Sequence, residues 1–270
     1  MNKITVIGSF DNIRSHHMRF LQEASRLGHL HVFLLTDDTI SDLTGAPPKF
    51  SETERFYFLD AIRYVDQVTL VEQFELDALP EQHVAESDIW VVSKNDDNAE
   101  KNAFCEANGL DYVVLSEQDL SGFPIAEVTD EPSSQPKVIV TGCYDWFHSG
   151  HVRFFEETSE LGDLYVVVGS DVNLRLLKGE GHPLFPQDER RYMVQSIRFV
   201  KQTLISTGQG WMDAEPEIEI IQPDIYAVNE DGDVPEKRAF CDEHGIEYMV
   251  LKRLPKEGLT KRQSTDLRGF

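Results

Sequence analysis

The chain has 270 residues, 40% hydrophobic and 27% charged, and its 48 acidic against 25 basic side chains give a formal net charge of −23. A chain of this size hides roughly 70–75% of its unfolded surface, and its balance of residues excludes a disordered or collagen-like protein. So acidic a surface argues against general binding of nucleic acid or anionic membrane.

Taken from the N-terminus, the sequence enters an apolar strand at Ile4 to Ile7 without the long apolar core and small-residue cleavage site of a secretory leader. A turn, an amphipathic helix and further strands follow. A stretch from about Ser121 to Lys137, rich in Pro, Ser and acidic residues and without a period, then reads as a linker. Beyond it the pattern starts again. A strand at Val138 to Val140 precedes a helix with Val152, Phe155 and Ser159 on one face and Gly162 as its stop. A strand at Leu164 to Val168, a helix at Gln187 to Phe199 and a strand near Thr203 to Ile205 come next. Last are a strand at Ile225 to Val228, a helix at Pro235 to His244 and a strand at Tyr248 to Leu251. Strand and helix alternate, so the expected fold class is α/β, with two tandem doubly wound, Rossmann-like parallel sheets.

The restart is an internal repeat. Gly8-Ser9-Phe10-Asp11 recurs as Gly142-Cys143-Tyr144-Asp145, Arg55 as Arg190, and Ile62-Arg63-Tyr64-Val65 as Ile197-Arg198-Phe199-Val200. Ala103-Phe104-Cys105 recurs as Ala239-Phe240-Cys241, so the offset drifts only from 134 to 136. The expected division is a first domain over residues 1–121, a linker over 122–137 and a second domain over 138–270. The first half, to residue 135, holds 9 basic and 25 acidic side chains and the second 16 and 23, so an anionic ligand suits the second. Cys105, Cys143 and Cys241 are odd in number with no close pair, which fits a reduced cytoplasm better than a disulfide framework or a CxxC metal site. No apolar run approaches the roughly 20 residues of a membrane span.

In doubly wound folds ligands bind beyond the carboxyl ends of the strands, which directs attention to the loop at 141–151. His148 and His151 stand three apart at a helix start, where unpaired backbone N–H groups and the helix dipole favour an anion. Gly142 suits a close backbone approach, and Gly150 leaves room between the imidazoles for a phosphate oxygen. Two histidines at this spacing could equally be a zinc half-site or a surface pair, but zinc wants further ligands and none is supplied at ligand spacing. No metal-ligating residue is assigned.

Residues 142–151, GCYDWFHSGH, resemble the GxFDxxHxGH signature of the cytidylyltransferase-like nucleotidyltransferases. Leu161-Gly162-Asp163 with the following strand and Asp171, Lys178-Gly179, Arg190 in its helix, Ile197-Arg198-Phe199-Val200, and Gln263-Ser264-Thr265-Asp266-Leu267-Arg268 resemble further motifs of that family in order. The resemblance implies in-line attack of a substrate phosphate on the α-phosphorus of a nucleoside triphosphate. In that reading His148, His151 and Lys178 do the catalytic work. Gly142, Cys143, Tyr144, Gly150, Asp171, Arg198, Ser264, Thr265 and Arg268 bind the nucleotide, and Mg2+ rides on its phosphates. Bland alternatives stay open: a solvated Lys178, a structural Arg198, and Ser264-Thr265 as a helix cap. Asp145 is expected to orient the loop.

At the matching positions the first copy reads Gly8-Ser9-Phe10-Asp11-Asn12-Ile13-Arg14-Ser15-His16-His17, so Arg14 replaces His148, His16 replaces Gly150, and only His17 is kept. Thr44 stands for Lys178, and Val128-Thr129-Asp130 for Ser264-Thr265-Asp266. The first copy is therefore expected to be a degenerate scaffold, paired with the second as an internal pseudo-dimer, with homo-oligomerisation left open. The leading expectation is transfer of CMP from CTP to a small phosphorylated alcohol of the phosphoethanolamine or glycerol-phosphate type, releasing pyrophosphate. Adenylyl or other nucleotidyl transfer to a sugar phosphate, and a noncatalytic nucleotide-binding regulator, are the alternatives.

Overall fold

Val138, Ile139 and Val140, like Ile4 and Val6, are buried completely, as expected of strands covered on both faces. The computed structural model, which describes residues 1–72, 75–125, 133–263 and 267, divides into two units, Met1–Gly122 and Phe123–Phe270. In the first unit the order is β1 (Asn2–Gly8), α1 (Ser15–Ser25), β2 (Gly28–Leu35), α2 (Asp37–Thr44), α3 (Glu52–Asp60), β3 (Gln67–Val71), α4 (Glu81–Val84), β4 (Ile89–Ser93), α5 (Ala99–Asn108) and β5 (Asp111–Leu115). The second runs β6 (Lys137–Gly142), α6 (Ser149–Ser159), β7 (Asp163–Val168), α7 (Asp171–Lys178), α8 (Gln187–Gln195), β8 (Val200–Ile205), α9 (Glu215–Ile221), β9 (Ile225–Asn229), α10 (Pro235–His244) and β10 (Glu247–Leu251).

Both sheets are five-stranded and parallel, ordered β3-β2-β1-β4-β5 and β10-β9-β6-β7-β8. The first strand of each unit is central, and the chain reverses its direction of winding between β1 and β4 and between β6 and β9. Pairing across that junction is brief. β6 meets β9 only at Val138 with Ile225 and Ile139 with Tyr226, although β6 continues to Gly142. The strands part beyond that point, and a crevice opens at the topological switch point. The hydroxyls of Thr141 and Tyr226, 2.7 Å apart, span the gap.

One device recurs in both units. Arg190, 1% exposed, donates from Nε to the Phe185 carbonyl (2.9 Å), from Nη1 to that of Cys143 (2.6 Å), and from Nη2 to Gly169 O (2.8 Å) and Asp171 Oδ1 (2.7 Å). Arg55 does the same with Phe50, Ser9, Leu35 and Asp37. A single buried guanidinium thus ties two strand ends to the segment before a helix, and its fork of five donors suits that task where a lysine would not.

Several expectations shift by a few residues for local reasons. The helix from Gln187 stops at Gln195, whose Oε1 accepts the Thr203 N–H (2.8 Å), and β8 begins at Val200. The short α7 and α9 add to the expected elements. Gly162 does more than stop a helix: a Cβ there would lie 2.0 Å from the Pro136 carbonyl oxygen, and one at Gly28 would lie 2.2 Å from that of Asn2. The expected linker is partly packed, since Arg191 donates to the Phe123 carbonyl (3.0 Å) and the Phe123 ring lies 5.8 Å from Tyr192. Among the described residues no helix is long and apolar enough to cross a membrane.

Arg190→Ala leaves three carbonyls and a carboxylate without their donor, and is expected to lower the unfolding free energy of the second unit by about 3–5 kcal/mol. Urea denaturation measures this, and a loss below about 1 kcal/mol would contradict the crosslinking role.

Candidate active site

The loop between β6 and α6 is shaped by its own side chains. Tyr144 has a φ of 53°, and its buried ring folds back over the strand end. A Cβ at Gly142 would lie 2.7 Å from Tyr144 Cζ, so the close approach that glycine permits there is that of a ring. Asp145 accepts the N–H groups of Leu184 (2.8 Å) and Phe185 (3.0 Å) and so pins the loop to the segment beyond α7, the orienting task expected of it. Phe10, with φ 46°, and Asp11, bonded to the N–H groups of Lys49 and Phe50, repeat the arrangement in the first unit.

The loop ends on an unusual helix cap. His148 is the N-cap of α6, and its Nδ1 accepts the Gly150 N–H at 3.1 Å. His151 reaches back, its Nδ1 accepting the His148 N–H at 3.3 Å. Their rings stack at 4.0 Å between centroids. An imidazole that accepts at Nδ1 carries its proton on Nε2 when neutral. Both rings are held neutral. Burial, with Arg253 and Arg262 nearby, lowers the pKa of His148 to about 3, and burial, with His148 and Arg253, holds that of His151 well below the usual histidine range. Each ring is thus a neutral donor at Nε2, fixed in orientation by the backbone it caps. Tyr144 braces His151 edge-on at 5.3 Å, and Phe147 stacks on it at 5.3 Å.

Gly150 has a different reason to be glycine from the one the sequence suggests. A Cβ there would lie 2.9 Å from Cε1 and 3.0 Å from Nδ1 of His148, so the space is taken by the capping imidazole itself. In the first unit Arg14 stands at the cap position, and a histidine, His16, is accommodated where Gly150 would be. There His17 Nδ1 still accepts the Arg14 N–H (3.1 Å), and burial, with His16 and Arg14, lowers its pKa to about 3.

A cavity of about 250 Å³ opens at the switch point, lined on one side by Gly142, Cys143, Tyr144, Gly150, His151 and Lys178. The opposite side is formed by Val228, Asn229, Asp231, Gly232, Lys237 and Arg253. Six expected site residues are therefore brought together, with Lys178 supplied by the last turn of α7. His148, 3% exposed, lies behind His151 and outside the lining. Asp171 is engaged by Arg190 and lies outside the cavity lining. Arg198 is exposed and precedes β8, at the amino-terminal edge of a parallel sheet whose carboxyl edge holds the cavity. That separates it from the site, and the guanidinium that organises the loop is Arg190. Ser264, Thr265 and Arg268 lie outside the described residues, as do Val128, Thr129 and Asp130.

Lys237, Asn229, Asp231 and Arg253 were not singled out from the sequence. The signal existed: β9 was expected, and its carboxyl end had to face the same crevice. Burial lowers the Lys237 pKa from the usual lysine range, and its Nζ lies 5.7 Å from the Tyr226 ring centroid. Among the described residues no group of three His, Cys, Asp or Glu side chains could hold a metal ion.

Because His148 stays neutral down to about pH 3 whereas an unfolded histidine protonates near 6.5, the unfolded state takes up the extra proton as pH falls through 6.5. Its contribution to stability is full above that pH and is lost below it at about 1.4 kcal/mol per pH unit. His148→Asn keeps a capping acceptor and removes the titration. Urea denaturation at pH 6 and pH 4.5 is expected to show a shallower pH dependence in this variant by about one proton; equal slopes would disprove the neutral cap.

The family model described as cytidylyltransferase-like matches residues 5–134 and again 139–254. Among curated proteins, FAD synthase of Ferroglobus placidus is 34% identical over 124 residues, 45% of this chain and 78% of that protein. FAD synthase of Aciduliprofundum boonei is 35% identical over 136 residues, 49% and 84%. The bifunctional protein HldE of a Nitratiruptor species is 36% identical over 89 residues, 33% of this chain but only 19% of that longer protein. A lipopolysaccharide core biosynthesis protein from Thermoplasma volcanium is a distant structural neighbour, 22% identical with a TM-score of 0.38 over 48% of this chain and all of that one.

Proposed function

The chain belongs to the cytidylyltransferase-like family, and from that premise we propose that its second unit is the catalytic one, transferring CMP from CTP to a small phosphorylated alcohol of the phosphoethanolamine or glycerol-phosphate type. The observation that carries the reading is the neutral pair His148 and His151, capping α6 with Nδ1 beside a switch-point cavity that Lys178 also lines. An oxygen of the acceptor phosphate attacks the α-phosphorus in line, the bond to the bridging oxygen breaks, and pyrophosphate leaves. No protein nucleophile is needed, so positioning and charge stabilisation supply the rate.

In this reading the triphosphate crosses the start of α6. His151 donates from Nε2 to its oxygens, His148 holds that ring and donates where the chain passes Gly150, and Lys178 neutralises charge from the cavity wall. Ser264, Thr265 and Arg268 complete the phosphate contacts. Mg2+ belongs to the nucleotide rather than to the protein. Asp145 already uses its carboxylate on two backbone N–H groups and Asp231 is paired with Arg253, so the donor set suits an ion carried by phosphates and water. The first unit, which lacks His148, Gly150 and Lys178 equivalents, serves as a scaffold, and a reduced cytoplasm fits the unpaired cysteines.

Adenylyl transfer is the second reading. The FAD synthase likenesses, at 34% and 35% identity over 78% and 84% of those proteins, favour ATP as donor and acceptors other than small alcohols.

Pyrophosphate release, measured with each of the four ribonucleoside triphosphates against phosphoethanolamine, glycerol phosphate, sugar phosphates and FMN, decides between them. Release with CTP and a small phosphorylated alcohol is expected; release with ATP alone selects the second reading, and none with any pair removes both. His151→Ala, His148→Ala and Lys178→Ala are each expected to lower kcat/KM by about 10²–10³. His17→Ala should leave it within about twofold, and equal losses at His17 and His151 would refute the division of labour.

A further inference from the structure

The charged side chains that line the switch-point cavity do not balance. Its acids are Asp145 and Asp231, and its cations are Lys178, Lys237 and Arg253. Asp145 is spent on the N–H groups of Leu184 and Phe185, and Asp231 on Arg253. Among the described residues of the lining, each carboxylate thus already has its partners, and a cationic ligand would find none waiting for it.

Lys237 enters this wall from the first turn of α10, half-buried, with its Nζ over the Tyr226 ring and a long contact of 3.4 Å to the Gly232 carbonyl. Asp213, Asp231 and Asp233 act on its charge through space, none through a hydrogen bond, and burial outweighs them. The first unit employs the same lysine differently. Lys101, at the repeat offset of 136, donates to the Asp96 carbonyl at 2.6 Å and stands 4.0 Å from Asp77. The counterpart of Asp77 is Asp213, whose carboxylate takes the Ser206 hydroxyl at 2.6 Å. A brace in one copy is slack in the other, and the loosened ammonium lines the cavity. Beside it the hydroxyls of Thr141 and Tyr226 pair at 2.7 Å, where the first unit has Ile7 and Trp90. Two hydroxyls so paired share one proton and keep a second donor and spare lone pairs, and Thr141 also lines the cavity.

We propose that Lys237, with Thr141, selects the acceptor by the charge of the end that does not react: a hydroxyl-bearing or anionic end is received there, and an ammonium is excluded. The inference rests on the reading that the acceptor enters this cavity with its phosphate towards His151 and Lys178, and it narrows that reading to the glycerol-phosphate type. An amine-ended acceptor brings a second cation beside an ammonium that burial already opposes, with no carboxylate of the wall to compensate it. A hydroxyl instead completes the Thr141–Tyr226 pair, and a carboxylate pairs with Lys237 directly. A lysine serving only as a brace would alter the binding of all acceptors alike.

The test is calorimetric titration of the full chain, without nucleotide or turnover, with three phosphate monoesters of similar size: glycerol phosphate, phosphoglycerate and phosphoethanolamine. The wild type is expected to bind the first two at least about tenfold more tightly than the third. Lys237→Met should bring the three within about threefold of one another, Lys237→Arg should keep the ranking, and Lys237→Glu should reverse it. Binding of phosphoethanolamine as tight as that of the others, binding of none of the three, or an unchanged ranking in Lys237→Met overturns the proposal. The wild-type ranking alone decides should the variants fail to fold. The expected ranking with no pyrophosphate release from any nucleotide and acceptor would uphold this selection while removing the proposed transferase reaction. Release with phosphoethanolamine as the best acceptor would keep the reaction and overturn the selection.

Discussion

The start of an α-helix leaves backbone N–H groups without partners, and in α6 two of the N–H groups around that start are accepted by imidazole nitrogens instead of a hydroxyl or carboxylate. Much of the site follows from that substitution. The cap consumes Nδ1 of both rings, fixes the tautomer, forces glycine at 150 and stacks His148 under His151. A serine cap would satisfy the same N–H group but leave nothing to present beyond it. The imidazole has a second nitrogen, so the group that ends the helix also supplies a directed donor at its mouth.

The cap works only if the loop before it is rigid, and three restraints make it so. Tyr144 fills the space over Gly142, Asp145 fastens the loop to the backbone at 184–185, and Arg190 clamps the Cys143 carbonyl from below. Phe10, Asp11 and Arg55 repeat all three in the first unit, where the cap has lost one of its two imidazoles. Framework and chemistry are thus separable: the residues that hold the loop persist where the residues that would meet a ligand have changed.

That separation explains what could be read in advance. The strands were legible because fully apolar β-branched runs have few other destinations, and the repeat was legible because Phe-Cys and Gly-x-x-Asp stay in register over 270 residues. His148 and His151 drew attention through their spacing at a helix start, and Lys178 through the resemblance of Lys178-Gly179 to a family motif. The roles of single residues were less legible. Arg190 and Arg198 both fall in the helix expected over Gln187 to Phe199, and only the end of that helix at Gln195 and the sheet's direction reveal that one reaches the carboxyl edge and the other does not. Gly150 is expected from the sequence to leave room for a phosphate oxygen, whereas the space above it holds the His148 ring. Arg253 and Lys237 follow strands that pair far from β6 in sequence, so their meeting with His151 is a property of strand order and leaves no local pattern.

Neutral imidazoles at the helix mouth also determine which solution variable the site senses. Rings that remain uncharged through the physiological range add no titrating charge to the cradle, and the surrounding positive field comes from lysine and arginine side chains in a strongly acidic chain. Acidity near neutrality therefore changes little of the charge that these two rings bring to the site. Ionic strength acts on the surrounding cations, because they face water and their reach contracts from about 10 Å at 0.1 M to about 3 Å at 1 M.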